Sequence, residues 1–475
     1  MRSLLVILLF ASVEQDFANL PTDSLRLTLG DAVALAQRQS SDALAARHTL
    51  EAAEWSYRYY QANYLPSVSL SSSPSLNRQL NSITQPDGTN VFMRQNQLST
   101  DLSLSISQNV TLTGGTLFVR SDMQRLDEFE QRTHGYSSVP FSIGYQQNLF
   151  GHNSLRWARR TEPLRYNIAQ KQYRETMELV ASRTSSLFFM LAAAQTDLEI
   201  AQQNYAVSDT LLAYARRRYE RGSITENEML QLEVCKLTEE TNRLNAEAEV
   251  EDAMQTLRSY LGIKDDVPIA VIPDTLIRDD VVDADEALAL ALANNPDPEQ
   301  LQLNVVESES ALSSAKANRG LKADLYMQFG LSQKGSTLQE ACTQPLNQQY
   351  VSLTLSLPLL DWGRGKGQVR VAKSRLELTQ TQSEQAMQDF RLNVRKMVRQ
   401  YNLQAHRVRI AYKTRETALR RYEVARWLYL QGRTSLLEFN TSVNEKDNAQ
   451  RSFIAALQTY WSLYYGLRSL TLKQS

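Results

Sequence analysis

The chain carries a long internal repeat. From about Leu149 to Tyr260 and from about Leu359 to Leu470 the sequence aligns with itself without gaps at a constant offset of 210 residues. That register pairs Tyr219 with Tyr429, Gly222 with Gly432 and Glu228 with Glu438, and the triplet Leu257-Arg258-Ser259 with Leu467-Arg468-Ser469. Self-similarity at a fixed spacing marks a supersecondary unit used more than once, so one half is a template for the other. Each half also opens alike, Asp31-Ala32-Val33-Ala34-Leu35-Ala36 matching Glu286-Ala287-Leu288-Ala289-Leu290-Ala291, but at an offset of 255. The change of register places about 45 additional residues in the first half, between its opening helix and Leu149, a segment that includes the Gly114-Gly115 turn.

Within each half the hydrophobic period predicts a helix, then strands, then a very long helix, a short break and another helix. Leu187, Leu191, Ala194, Leu198, Ala201, Tyr205 and Leu212 follow the alternating three and four spacing of a coiled-coil-like seam, and Met397, Tyr401, Val408 and Tyr422 take the matching places. A helix from Leu155 to Tyr219 would be roughly 100 Å long at ~1.5 Å per residue. The strands have a different period. Val351, Leu353, Leu355 and Leu357 alternate with Ser352, Thr354 and Ser356, and Leu321, Ala323, Leu325, Met327 and Phe329 alternate with Lys322, Asp324, Tyr326 and Gln328. Leu102, Leu104 and Ile106 among serines, and Phe141, Ile143 and Tyr145 among polar residues, repeat the pattern. One face is apolar and the other wet, which suits both a soluble sandwich and a membrane barrel.

Arg2, the apolar run from Leu4 to Ala11 and the small and polar residues after it have the layout of a secretory signal peptide, assigned to residues 1–18; a buried first helix is the alternative. No later stretch approaches the length of a spanning helix, so an exported chain of this sequence enters a membrane only as a β-barrel. The second half offers two good strands and the first up to four, too few for one chain to close a membrane barrel, which takes at least ~8. Such a barrel is shared by identical chains about a rotation axis. Lys plus Arg, 51, nearly balances Asp plus Glu, 52, leaving no basic surplus for nucleic acid. Cys235 and Cys342, one in a helix and one in a distant loop, do not suggest a disulfide framework. His48, His134, His152 and His406 are too scattered for a metal or catalytic spacing, and no cofactor is expected. Gly363, Gly365 and Gly367 follow a strand and open a helix as in a phosphate-cradling loop, but the strand before them alternates and the repeat partner reads Gly151-His152-Asn153, which favours a purely structural turn.

Three features together resemble the TolC family of outer-membrane factors over nearly the whole chain beyond the signal segment. They are the strand-to-helix junctions Pro358-Leu359-Leu360-Asp361-Trp362-Gly363-Arg364 and Asn148-Leu149-Phe150-Gly151-His152-Asn153, the turns Arg218-Tyr219-Glu220-Arg221-Gly222-Ser223 and Tyr429-Leu430-Gln431-Gly432-Arg433-Thr434, and the repeated opening helix ending in Asn294-Asn295-Pro296. The resemblance implies an α+β membrane protein, a passive duct and not an enzyme. Three chains, each giving about four strands, would close one barrel of about twelve in the outer membrane of a Gram-negative bacterium, continued across the periplasm by a helical barrel. It also implies partners: outer-membrane lipid, a periplasmic adaptor and, through it, an inner-membrane pump of a tripartite efflux or type I secretion system. The two repeats are then 24–262 and 279–475, and the additional segment after Pro66 departs from the simplest pattern: with up to six candidate strands, either the added hairpin stays outside the barrel wall or the strand count is too high.

By the same resemblance Arg218, Tyr219, Gly222, Ser223, Tyr429, Gly432, Arg433 and Thr434 form adaptor-docking tips, and Glu228, Gln231, Glu438 and Thr441 line a periplasmic gate, with Arg433 a candidate counter-charge. Read alone, the arginines are a solvated helix end and the glutamates are N-terminal charges that complement a helix dipole. The competing reading of the whole chain is a secreted or periplasmic coiled-coil structural protein that binds partners without conducting.

Overall fold

The computed structural model describes residues 25–86, 88–264, 267–275, 277 and 281–473; the signal segment expected at 1–18 lies outside them. The first half runs β1 (Leu25–Thr28), α1 (Leu29–Gln39), α2 (Ser41–Ala62), β2 (Ser67–Thr84), β3 (Asn90–Val110), β4 (Gly115–Glu128), β5 (Thr133–Asn148), α3 (Ser154–Glu220) and α4 (Glu226–Leu261). The second repeats the order with β6 (Ile269–Ile272), α5 (Ala284–Asn294), α6 (Pro296–Arg319), β7 (Lys322–Gly335), a one-turn α7 (Leu338–Cys342), β8 (Leu346–Ser356), α8 (Arg364–Leu430) and α9 (Leu436–Thr471). The tandem repeat is therefore structural as well as textual. The long helices α3 and α8 have 67 residues each, and the returning helices α4 and α9 have 36 each.

Two compact units divide this chain. One combines the described residues up to Leu50 with Ala169–Pro296 and Gln388 onward; the other combines Glu51–Ile168 with Asp297–Met387. In the first unit the seam predicted from spacing is buried: Leu191, Ala194, Ala201 and Leu212 of α3 and Tyr401 and Val408 of α8 all lie in the interior. Phe188, Phe189, Val394 and Val398 widen it beyond a narrow stripe, and Tyr460 of α9 is fully buried with its hydroxyl 3.0 Å from that of Tyr401. The opening motif has a clear physical role. Asp31 is the third residue of α1, where its amide donates to the Thr28 hydroxyl (3.2 Å), while Glu286 of α5 donates likewise to the Asp283 carboxylate (3.1 Å). The alanines that follow, Ala32 and Ala36 in one copy and Ala287 and Ala291 in the other, are buried against the core. Ahead of these helices β1 and β6 pair in parallel from Leu25↔Ile269 to Thr28↔Ile272, joining the two openings.

Each opening helix is in fact two. Ser40 and Asn295 adopt extended ψ angles of 150° and 144° and end α1 and α5, after which α2 and α6 begin. Asn295 precedes Pro296, whose ring disfavours helical geometry in the residue before it yet suits the first position of the next helix. Ser40 reaches the same break without proline, its hydroxyl accepting from the Ala43 amide at 3.2 Å.

The second unit holds one antiparallel sheet in the order β2-β3-β4-β5-β7-β8. The two strands read in the second half and the up to four in the first are all present in this one six-stranded sheet, the additional hairpin being fully paired with its neighbours. Alternation carries through every strand. Val68 and Leu70 of β2, Leu104 and Ile106 of β3, Val119 of β4, Ile143 of β5, Phe329 and Met327 of β7 and Val351 and Leu353 of β8 share one face by register. The opposite face carries Ser69, Ser103, Ser105, Arg120, Asp122, Gln328, Ser352 and Thr354 by the same register. The apolar side chains are open, with Val68 67%, Leu70 68% and Leu353 53% exposed.

Gly144 is where a side chain cannot fit: a Cβ there would lie 2.6 Å from the Met327 carbonyl oxygen and collide with the Phe118 ring, which covers Gly144 from the paired position on β4. Phe118 in turn stacks on Tyr326 at 5.7 Å. Replacing Gly144 with valine is expected to force β5 and β7 apart and to speed hydrogen exchange of their paired amides severalfold at fixed pH. Exchange followed by mass spectrometry measures this; unchanged exchange would show that the sheet absorbs the added volume.

Candidate functional site

The two tips are built the same way, bond for bond. At the end of α3 the Ser223 amide donates to the Arg218 carbonyl and the Gly222 amide to the Tyr219 carbonyl, both at 2.8 Å. At the end of α8 the Arg433 amide donates to the Leu428 carbonyl at 3.0 Å and the Gly432 amide to the Tyr429 carbonyl at 2.9 Å. This nested pair satisfies the last helical carbonyls and requires a left-handed residue, which Gly222 (φ 71°) and Gly432 (φ 69°) provide. The repeated glycines are therefore a backbone requirement of the turn.

The repeated glutamates have a structural task too. Thr225 caps α4: its hydroxyl accepts from the Glu228 amide (3.3 Å), and the Glu228 carboxylate accepts from the Thr225 amide (3.1 Å), a reciprocal capping box. In α9 the Ser435 hydroxyl accepts from the Glu438 amide at 3.2 Å, and the Thr434 hydroxyl donates to the Glu438 carboxylate. Both side chains remain exposed, as do Gln231 and the Thr441 side chain one turn further on, so the capping does not remove the charge from solvent. The helix-dipole reading and a role facing water are compatible at these positions.

A small second core ties the hairpins together: Leu211, Leu212 and Ala215 of α3, Leu232 of α4, Ala425 of α8 and Phe439 of α9 are buried in one cluster. Within it the copies differ. Tyr429 is half-buried and stacks on Phe439 at 5.2 Å, whereas Tyr219 is exposed and has Met229 at the position equivalent to Phe439. Burial pushes the Tyr429 phenol above its ordinary value, opposed by the charge of Arg218 and reinforced by that of Glu228. Arg218, Glu228 and Tyr429 are thereby brought into one neighbourhood by the fold. Ion pairs flank it, Arg216 with Glu233 at 3.2 Å, Lys236 with Asp209 at 2.5 Å, and Arg421 with Glu445.

One polar group of the helical unit is not repeated. Asp447 is buried on α9, accepts from the Asn204 side-chain amide of α3 at 2.7 Å and pairs with Lys446 at 2.9 Å. Lys446 also lies 4.9 Å from the centre of the Tyr422 ring. Leu237 and Thr414 stand at the equivalent places in the other copies, so the legible signal for this cluster is a mismatch between the halves.

The glycines after β8 hold no phosphate cradle. Gly363 and Gly365 donate their amides to the Asp361 carboxylate at 2.9 and 2.8 Å, so the chain's own anion occupies the position a phosphate would take. Those two bonds hold the Asp361 carboxyl below its ordinary value. A lowered value in the folded protein means that the stabilisation is present above the unfolded aspartate range and lost as pH falls through the folded one. Among the described residues no group of three or more His, Cys, Asp or Glu is placed to hold a metal ion, and no helix is long and apolar enough to cross a membrane.

Long paired helices in tandem, with strands of one shared sheet, apolar on one face, ahead of each pair, define the class of outer-membrane factor channels. A family profile described as outer membrane efflux protein matches residues 32–263 and 287–471, and the chain belongs to that family. Its fold is similar to that of the CmeC outer membrane channel of Campylobacter jejuni, at 16% identity and a TM-score of 0.68, covering 93% of this chain and 85% of that one. The outer membrane protein VceC of Vibrio cholerae gives 14% identity and a TM-score of 0.65 over 93% of this chain and 95% of that one. The open-state MtrE channel of Neisseria gonorrhoeae gives 14% and 0.62, over 93% and 88%. No curated protein is matched by sequence.

Two outcomes are expected from these turns and caps. A Cβ at Gly222 or Gly432 meets nothing within 4 Å, but valine must adopt a left-handed backbone, at a cost of about 1–2 kcal/mol each. Limited proteolysis should then cut faster at the substituted tip, with the thermal transition of the helical core unmoved; unchanged cleavage would mean that the turn tolerates a side chain. For Asp361, the protection of amides at the start of α8, taken relative to their intrinsic exchange rates, should fall in the wild type as pH drops through the lowered Asp361 range and be low at all pH values in Asp361→Ala.

Proposed function

We propose that this chain is the exit duct of a tripartite efflux or type I secretion system, a passive conduit in the outer membrane of a Gram-negative bacterium extending into the periplasm. Three copies form the channel, an adaptor docks at the tips, and an inner-membrane pump supplies the energy through it. The observation that carries this reading is the sheet, whose apolar face is exposed across all six strands while the other face is polar. Hydrocarbon is the surrounding that suits such a face, and closure is what satisfies strand edges there. Membership of the outer membrane efflux protein family supports the role and the location. The segments 24–262 and 279–475 are retained as the two repeats of the duct.

In this mechanism the protein does no covalent chemistry. The polar face, with Ser103, Arg120, Asp122 and Gln328, lines a wet passage. Arg218, Tyr219, Gly222 and Ser223 at one tip and Tyr429, Gly432, Arg433 and Thr434 at the other present the adaptor with two similar but unequal surfaces, because Tyr429 is stacked and Tyr219 is not. Glu228 and Glu438, with Gln231 and Thr441 beside them, form the gate. Three-fold repetition turns each glutamate into a ring, where like charges repel and attract cations.

Native mass measurement in mild detergent is expected to give a trimer; a stable soluble monomer would favour the coiled-coil structural reading. Valine at both Gly222 and Gly432 is expected to weaken crosslinking to the adaptor while leaving the trimer assembled, and unchanged crosslinking would remove the tips as the docking surface. Glutamine can serve in a capping box as glutamate does. Glu228→Gln and Glu438→Gln therefore should keep the tips folded and alter cation selectivity or block by multivalent cations in planar bilayers. Recordings indistinguishable from wild type would take both residues out of the gate.

A further inference from the structure

The additional hairpin of the first half sits inside the sheet. β3 pairs with β4 without interruption from Gln97↔Glu128 to Val110↔Gly115, and β2 pairs with β3 from Ser67↔Ser107 outward. The four strands β2 to β5 then continue through β5·β7 and β7·β8, all antiparallel. Only β2 and β8 are left with an unpaired edge in this sheet.

Resting on the channel reading above, we infer that the wall is built from all six strands of each chain, so that three copies close an eighteen-stranded barrel in which β8 of one chain pairs with β2 of the next. The occupant of both edges is a second copy of this chain, and three observations on the sheet support it. Polarity is the first: with an even number of strands, all antiparallel, β2 and β8 run in opposite directions, so joining them head to tail around an axis makes one more antiparallel pair and closes the ring.

The second is the apolar face, which does not stop at β4. Val68, Leu70, Leu102, Leu104 and Ile106 continue it to the β2 edge and are exposed. A wall of β4, β5, β7 and β8 alone would leave β2 and β3 outside it with these side chains in water. It would also have to break the whole β3·β4 ladder, since a hairpin can leave this strand order only from its end.

The third is the anchoring of the hairpin at the end of the sheet next to the helices. The Gln108 side chain donates to the Tyr64 carbonyl at 2.7 Å and Asn109 to the Asn63 carbonyl at 3.0 Å, so β3 is tied to the end of α2. The β3–β4 turn is tied across to β5 and to the segment before α3, Gln147 donating to Thr113 at 2.6 Å and Asn153 to Thr111 at 3.1 Å. The polar faces at the proposed seam also match, Ser67, Ser69, Ser71 and Ser73 on β2 meeting Ser352, Thr354 and Ser356 on β8.

Strand number sets width. Diameter grows roughly in proportion to strand count at fixed tilt, so this wall is about half as wide again as one of about twelve strands, in the range where porins keep an aqueous channel. The class of cargo that the outer-membrane segment admits is correspondingly larger, and any restriction must lie in the helical part.

Crosslinking tests the seam. In a Cys235→Ser, Cys342→Ser background, Ser69→Cys is combined in turn with Gln348→Cys, Ser352→Cys, Thr354→Cys and Ser356→Cys, all on the polar face. A parallel series combines Thr116→Cys of β4 with the same β8 positions. After oxidation, at least one β2–β8 combination should give covalent dimers and trimers on non-reducing gels, and the β4–β8 series should give none. Electron cryomicroscopy of the unsubstituted protein in lipid discs should show eighteen strands around the axis. A trimer that crosslinks through β4, or shows about twelve strands, overturns the inference and leaves the channel reading standing. A monomer with neither crosslink overturns both.

Discussion

Everything in the strand-bearing unit depends on the need to satisfy backbone hydrogen bonds where water is absent. A sheet whose apolar face is open from β2 to β8 is stable only against hydrocarbon or another apolar surface, and hydrocarbon offers its amides and carbonyls no partners. Within the chain five ladders meet that demand, and two edges remain. On the proposed channel reading, association of copies is what satisfies those two edges in the membrane.

The helical unit obeys a different constraint. Its long helices have too low a mean hydropathy to enter a bilayer and are held by a seam of buried residues at coiled-coil spacing, supplemented by aromatic pairs such as Tyr401 with Tyr460. Local chemistry then ends them at matched points. Gly222 and Gly432 reverse the chain in the left-handed conformation, and Thr225 with Glu228 and Ser435 with Glu438 start the return. Function is asked of residues that already have a structural duty: the glutamates of the proposed gate are also caps. Removing the charge and removing the cap are therefore separate experiments, and glutamine separates them better than alanine.

Duplication left two halves that are alike in backbone and unlike in side chains. Tyr429 stacks on Phe439 where the first repeat has Tyr219 and Met229, and the buried Asp447, which accepts from Asn204, is replaced by Leu237 in the first repeat. A partner that contacts both tips meets two chemically different surfaces on one chain. Differences of this kind between copies are where a repeat protein acquires specificity, because the shared residues are already committed to turns, caps and seams.

The sequence by itself determined the tandem organisation, the long helices, their glycine turns and the alternation of the strands, because each rests on short-range periods and on backbone conformations that few residues adopt. It also carried the tip residues, since Gly222 and Gly432 recur at one offset. It did not determine which strands are neighbours. The order β2-β3-β4-β5-β7-β8, and with it the place of the additional hairpin, depends on pairing between segments far apart in the chain, which alternation alone permits in several ways. The end of the second opening helix is legible in Asn294-Asn295-Pro296, but the break at Ser40 and the parallel β1·β6 pair carry no such signal: a break of one residue without proline and strands of four leave little periodicity to read. Tertiary structure alone stacked Tyr429 on Phe439 and buried Asp447 against Asn204, because these contacts join helices that no local pattern relates.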